Sequence, residues 1–322
     1  MIAGIISRSC CCVALLAACT SSAWAVDPQD ALLLAEPDIS ERHLAFVYDG
    51  DIWIANRDGS ASRRLTTAEG VEARPHFSPD GATLAFSANY DGNVDVYVIP
   101  VVGGSPKRLT WHSAEDIVEG FDAGGRIVFS SQRDVYTSRD VHLFTVEPAG
   151  SVPERLPVPI GHDADVAPEN RAIAYTSMPL PMREDLIQWT GYRGGSVSRI
   201  VMMNWSDYSV RKVPQPPARC NDLNPMWIAG KLYFNSDRNG EFNLHVYDPA
   251  TSNVEQLTSY GDFPVVNAST GAGRIVYEQA GRLHVFDPAT RTDSILRVAA
   301  SSDLRETRPR RVSNVDYVRN AS

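Results

Sequence analysis

Between Arg74 and Thr110 the chain reads RPHFSPDGATLAFSANYDGNVDVYVIPVVGGSPKRLT. This stretch limits what the molecule can be more than any other. Ser78-Pro79-Asp80-Gly81 is a turn: proline presets φ, aspartate bonds its own backbone, and glycine accepts a positive φ where the chain re-enters a strand. Arg74 to Ser78 before it reads as a short strand. Thr83 to Ala88 after it carries Leu84, Ala85 and Phe86 in succession, the mark of a strand buried on both faces. Asp91-Gly92 is a hairpin signal. Val94, Val96 and Val98 then alternate with other residues at period two. Gly103-Gly104 turns the chain into a more polar fourth strand, Pro106 to Thr110. Four antiparallel strands in about forty residues have the size and order of one propeller blade.

The unit recurs. Its second strand is anchored by Leu44-Ala45-Phe46, Leu84-Ala85-Phe86, Ile127-Val128-Phe129, Ile173-Ala174-Tyr175, Leu232-Tyr233-Phe234 and Ile275-Val276-Tyr277, whose last aromatics are spaced 40, 43, 46, 59 and 43 residues apart. Third strands follow at Ile52 to Ile54, Val96 to Val98, Val141 to Leu143, Ile200 to Met202, Leu244 to Val246 and Leu283 to Val285. Fourth strands carry Arg64-Leu65-Thr66, Arg108-Leu109-Thr110, Arg155-Leu156-Pro157, Lys212-Val213-Pro214, Gln256-Leu257-Thr258 and Ile295-Leu296. The expected fold is therefore all-β, a six-bladed β-propeller with four antiparallel strands per blade over residues 31–304. Residues 31 to 36 can supply the first strand of blade one and residues 264 to 268 that of blade six. No strand then needs to be exchanged between the first and last blades, and the ring is expected to close by side-chain packing alone.

Residues 1–25 stand apart from this pattern. Arg8, the apolar run Cys10 to Ala18 and the small-x-small site Ala23-Trp24-Ala25 read as a secretory signal peptide cleaved after Ala25. Leu16-Ala17-Ala18-Cys19 also fits a lipoprotein anchored through Cys19. Either way the expected location is the bacterial periplasm. Four of the five cysteines fall in this leader, leaving Cys220 alone and no disulfide framework. A net charge of −9 and the absence of a basic stripe argue against nucleic acid as a partner. Arg305 to Arg311 reads as a linker, and Ser313 to Ser322 as the first strand of a second, truncated propeller.

Sequences that carry chemistry are missing. Gly194-Gly195-Ser196-Val197-Ser198 lacks the closing glycine of a nucleophile elbow, and no His-Glu-x-x-His, Cys-x-x-Cys or Walker loop occurs. His142, His245 and His284 occupy the repeat position held by Trp53 and Tyr97 elsewhere, so they read as packing residues. No catalytic residue, metal site or cofactor is expected. What departs from the repeat is an insertion of roughly 15 residues between Met178 and Ser198, MPLPMREDLIQWTGYRGGSVS. Loops inserted in a rigid scaffold are where function concentrates. Trp189, Tyr192, Arg193 and Gly194 are thus the candidate peptide-binding residues, with Arg193 offering a cation to a carboxylate or carbonyl.

The LAF, FSPDG and KRLT marks resemble the WD40-type repeats of TolB-like periplasmic propellers, prolyl oligopeptidase-type peptidases and tricorn proteases. The opening LLLAEPDISERHLAFVYDGDIWIAN and the insert Trp189-Thr190-Gly191-Tyr192-Arg193-Gly194-Gly195 are similar to the tricorn family in particular. That resemblance implies a non-catalytic propeller that gates or routes peptides in a serine peptidase, with the C-terminal protease domains absent from this chain. It is compatible with a homo-oligomeric full-length protein. The short, acidic loop from Trp111 to Gly120 has no arginine pair. A TolB-like propeller that stands alone and binds a partner protein is the other reading.

Overall fold

The structure, a computed structural model, describes residues 29–137, 140–177 and 190–302. The leader, Trp189 and the region after residue 302 lie outside the described residues. Twenty-four strands, and no helix, occur among the described residues, arranged as six four-stranded antiparallel sheets. Blade one is β1 (Ala35–Ile39), β2 (His43–Tyr48), β3 (Asp51–Asn56) and β4 (Arg63–Arg64). Blade two is β5 (Glu72–Phe77), β6 (Thr83–Asn89), β7 (Val94–Pro100) and β8 (Lys107–Arg108). Blade three is β9 (Asp116–Phe121), β10 (Ile127–Ser131), β11 (His142–Val146) and β12 (Glu154–Arg155). Blade four is β13 (His162–Val166), β14 (Ala172–Thr176), β15 (Ile200–Asn204) and β16 (Val210–Lys212). Blade five is β17 (Asp222–Ile228), β18 (Lys231–Ser236), β19 (Asn243–Asp248) and β20 (Asn253–Gln256). Blade six is β21 (Val266–Gly271), β22 (Arg274–Gln279), β23 (Arg282–Asp287) and β24 (Thr292–Leu296).

Each sheet pairs its strands in chain order, and β1, β5, β9, β13, β17 and β21 contact one another in a closed ring. The molecule is a six-bladed β-propeller without strand exchange, as its repeats imply. Antiparallel order puts the turns between first and second strands, and between third and fourth, on one face (the turn face). The turns between second and third strands and the blade-to-blade connections lie on the other (the linker face).

Why the second strands are apolar throughout is plain from the core. It is divided into six clusters, one per seam between blades. Leu44 and Phe46 face blade six, whereas Ala45 between them faces blade two. Period two therefore sends successive side chains into two different hydrophobic seams, and neither face meets water. Phe46, Phe86, Phe129, Phe234 and Tyr277 are fully buried, each contributing roughly 2–3 kcal/mol of apolar transfer.

Across from each of these anchors stands a ring on the third strand. Phe46 stacks on Trp53, Phe86 on Tyr97, Phe129 on Phe144, Phe234 on His245 and Tyr277 on His284. His245 and His284 are in the expected slot. His142 is not, because Phe144 fills it in blade three. His142 lies two residues earlier, where blades one and two have Asp51 and Asp95. Asp51 pairs with Arg64 and Asp95 with Arg108, whereas His142 meets Arg155 at 3.1 Å. This explains the Arg-Leu-Thr mark. Its arginine neutralises a buried acid at the start of the third strand. Its threonine hydroxyl accepts a third-strand N–H, from Ile52 to Thr66 and from Val96 to Thr110.

The seam between blades six and one is more than side-chain packing. Ala31 N–H donates to Val298 O and Leu33 N–H to Gly281 O, both at 2.8 Å. Asp30 pairs with Arg282 at 2.8 Å, and Ser62 donates to Ala299 O. Residues on both sides of the propeller thus clasp the last seam by main-chain bonds that form no strand.

Candidate functional site

Polar residues recur at every second position of the innermost strands: Glu36 and Asp38, Arg74 and His76, Asp163 and Asp165, Asn267 and Ser269. A strand with two apolar seams on either side has one direction left for a charge, and that is the propeller axis. In five blades a β-bulge lies opposite the anchor aromatic. Its first extra residue has a positive φ: Glu36 (47°), Arg74 (54°), Asp163 (44°), Asn224 (48°) and Asn267 (48°). Left-handed backbone at a non-glycine residue is uncommon and strained by about 1 kcal/mol or more, least so for Asn and Asp. Bulges re-aim side chains and sharpen twist. Blade three shifts its bulge to Glu119 and carries Gly120 at φ 145° beside it.

The axis encloses a cavity of about 920 Å³. It is bordered by β1 from Asp38 onward, by β5 from Arg74, β9 from Glu119, β13 from Asp163, β17 from Asn224 and β21 from Ala268, together with the first turns of blades one, two and six. It opens on the turn face. At the other end it stops at the level of the bulges. There Arg74 Nη2 meets Asp163 Oδ1 at 3.3 Å from across the axis, and Glu36 Oε2 accepts the main-chain N–H of Arg74 at 2.6 Å. Burial opposes the charge of Arg74. Asp163, Glu119 and Glu36 outweigh it and hold the guanidinium above its usual pKa.

Acids dominate the wall. Asp38 Oδ2 accepts Phe77 N–H at 2.7 Å, and its other oxygen accepts the Ser269 hydroxyl. Asp165 Oδ2 accepts Trp227 N–H at 2.6 Å. Each carboxylate ties its own inner strand to the next, β1 to β5 and β13 to β17. Burial pushes Asp38 up to about 7, with Asp165 adding repulsion, and likewise pushes Asp165 up to about 7. Glu278 bonds Glu36 N–H at 2.6 Å and Asn267 Nδ2 at 2.7 Å, and burial raises it to about 7 as well. His76 Nδ1 lies 3.8 Å from Asp38.

Three of the four residues singled out from the insertion sit elsewhere, and Trp189 lies outside the described residues. Tyr192, Arg193 and Gly194 follow the second strand of blade four, on the linker face, and none borders the cavity. Arg193 grips the fully buried Asp237 of blade five: Nη1 bonds Oδ2 at 2.7 Å and Nη2 bonds the main-chain oxygen at 2.8 Å. Gly191 N–H and Asn221 Nδ2 donate to the same carboxylate oxygen, and Asn221 N–H to the other. Gly194 packs so closely on Tyr192 that a Cβ would stand 2.1 Å from the phenol oxygen. The Gly-Tyr-Arg-Gly run thus moors the insertion to blade five. Asp38, Arg74 and Asp165 were not singled out from the sequence. The signal for them was the alternating charge inside strands otherwise flanked by turns.

With the ring and its axial cavity described, likeness to other proteins can be weighed. Residues 31–292 match the model of the tricorn protease N-terminal beta propeller domain. Tricorn protease homolog 1 of Streptomyces coelicolor is 29% identical over 246 residues, 76% of this chain and 22% of that protein. A putative tricorn-like protease N-terminal subunit of Sulfurisphaera tokodaii is 25% identical over 166 residues, half of this chain and 80% of that protein. The crystal structure of the tricorn protease superposes with a TM-score of 0.72 at 22% identity, over 84% of this chain and 27% of that one. The chain thus spans about a quarter of the length of the full-length tricorn proteins it matches. Blade count, strand order and a family match across nearly the whole ring agree: this chain belongs to the tricorn protease N-terminal β-propeller family.

Proposed function

We propose that this propeller is a non-catalytic, peptide-handling part of a tricorn-like serine protease, receiving peptides in its axial cavity while hydrolysis takes place in domains outside this chain. The observation that carries the reading is the cavity of about 920 Å³ on the axis of a tricorn-family propeller. Its size is that of a ligand pocket, and its wall carries carboxylates and arginines. The Sulfurisphaera tokodaii relatives, named as separate N-terminal and C-terminal subunits of a tricorn-like protease, support a division of labour in which such a propeller is its own piece. Export to the periplasm through the N-terminal leader belongs to the same proposal.

Fluorescence anisotropy with labelled peptides of five to twelve residues tests it. The chain is expected to bind them with affinities in the micromolar range and to leave them intact over hours. Peptide turnover by the purified chain would show that it carries a catalytic site. Absence of binding by any peptide would remove the cavity from peptide handling.

A further inference from the structure

We propose that the axial cavity is a blind cup for a peptide end, specifically a free amino end, and that the Arg74–Asp163 pair is its floor. This rests on the peptide-handling reading and narrows it from a passage to a socket.

The floor is a matter of strand level. The cavity borders β5 from Arg74 to the turn at Ser78, β1 from Asp38 and β13 from Asp163, but not Glu36, Glu72, His162 or Val266, which stand nearer the linker face. The first residue it touches in blades two, four and five is the bulged one. These bulges hold Arg74 and Asp163 against each other over the axis, with Glu36 accepting from the arginine's main chain.

The width is a matter of volume. Four residue steps from Arg74 to Ser78 at ~3.3 Å each make the cup about 13 Å deep. A volume of about 920 Å³ over that depth leaves a cross-section of about 70 Å². One extended chain needs roughly 50 Å², from strand and sheet spacings of about 4.8 and 10 Å, and two side by side need about 100 Å². A single extended chain fits. Because the cup is closed below, a chain that enters along the axis ends there, and about four residues of it are accommodated.

Charge selects which end. The wall and rim carry Asp38, Glu41, Asp80, Glu119, Asp163 and Asp165 against Arg42 and Arg74. Arg74 is already bound to Asp163. An ammonium arriving beside Asp38 and Asp165 relieves the repulsion between them, whereas a carboxylate arriving there adds to it.

The test compares four forms of one octapeptide with this chain at pH 7.5, read by isothermal titration calorimetry: free, N-acetylated, C-amidated and head-to-tail cyclised. The free and amidated forms are expected to bind alike, and the acetylated and cyclic forms at least ten-fold more weakly. Asp165→Asn keeps an oxygen for Trp227 N–H and the volume of the site, so the variant is expected to fold. In it the penalty of acetylation should shrink. Equal binding of cyclic and free peptides overturns the blind cup while leaving peptide handling standing. Loss of binding on amidation with none on acetylation overturns the choice of end. Failure of all four forms to bind removes the peptide-handling reading together with this one.

Discussion

Arg193 and Asp165 show what a single charge does in this protein, and the two act by different means. Asp237 has no exposure, so its carboxylate depends on the donors around it. Arg193 supplies one of them and also bonds the main-chain oxygen of Asp237, through a fork that lysine lacks. Arg193→Ala is expected to destabilise the fold by about 1–3 kcal/mol in urea unfolding, since a buried acceptor loses its charged donor while Gly191 and Asn221 remain. Arg193→Lys is expected to recover less than half of that loss, because one ammonium cannot reach both oxygens in the geometry of the guanidinium. Asp165 acts through its proton. Its carboxyl ionises near 4 when unfolded and near 7 when folded, because burial disfavours the charge. Between those values the unfolded chain binds fewer protons than the folded one, so stability falls as pH rises through the window. The contribution is complete below about pH 4 and gone above about pH 7, with acids whose pKa folding lowers, Asp293 among them, acting in the opposite sense. Asp165→Asn should flatten the decline of the urea midpoint between pH 5 and 8. Asp38, Glu72 and Glu278 are raised in the same way, so the slope should shrink rather than vanish. An unchanged slope would show that Asp165 ionises freely in the folded protein.

The strand is the next scale, and here the sequence was most informative. Second strands could be read from three consecutive apolar residues because each side chain enters a different seam. The Arg-Leu marks located fourth strands that are only two residues long in blades one to three, since what recurs there is a set of polar partners and not a strand. Blade three was read two residues out of register at His142. Its third strand, β11, is buried at all five positions, so no alternation tells which residue faces which seam, and only pairing with Phe129 fixes Phe144. The inner strands were harder still. A bulge adds a residue opposite Phe46, Phe86 and their counterparts, which breaks period two at the point where the charges turn to the axis. The cavity was therefore hidden in a pattern that looks irregular. The threonine of the fourth-strand mark is testable by itself. Thr258 accepts Leu244 N–H at 2.9 Å and donates to Asn243 at 3.0 Å. Thr258→Val keeps the shape and removes both bonds, so a loss of about 1–3 kcal/mol is expected. Thr258→Ser keeps both and should lose less than 1 kcal/mol. Equal losses in urea unfolding would mean that the methyl group and not the hydroxyl carries the mark.

At the scale of the whole molecule, the ring has six seams, and five of them join blades that follow one another in the chain. The sixth joins blade six to blade one, so only non-covalent contacts hold it. Residues 31 to 36 read as the first strand of blade one in the sequence, but that strand is Ala35–Ile39, and residues 30 to 34 carry no alternation that reveals their partners. In the structure they lie on blade six instead, with two main-chain bonds and an ion pair. Leu34 is buried in the seam cluster with Leu283 and Val298, while its neighbour Leu33 is 79% exposed. That contrast provides a matched pair of substitutions on one short segment. Leu34→Ala should remove about 2–5 kcal/mol, as buried leucine truncations do. Leu33→Ala should stay within about 0.5 kcal/mol, as surface changes do. Because the sixth seam lacks a covalent connection, its loosening should also be local before it is global. In native-state hydrogen exchange of Leu34→Ala, amides of β1, β22 and β23 should lose protection at low denaturant, while those of β10 and β14, on the far side of the ring, retain theirs. If protection falls uniformly over all six blades, the ring opens as one cooperative unit and the clasp is no weaker than the other seams.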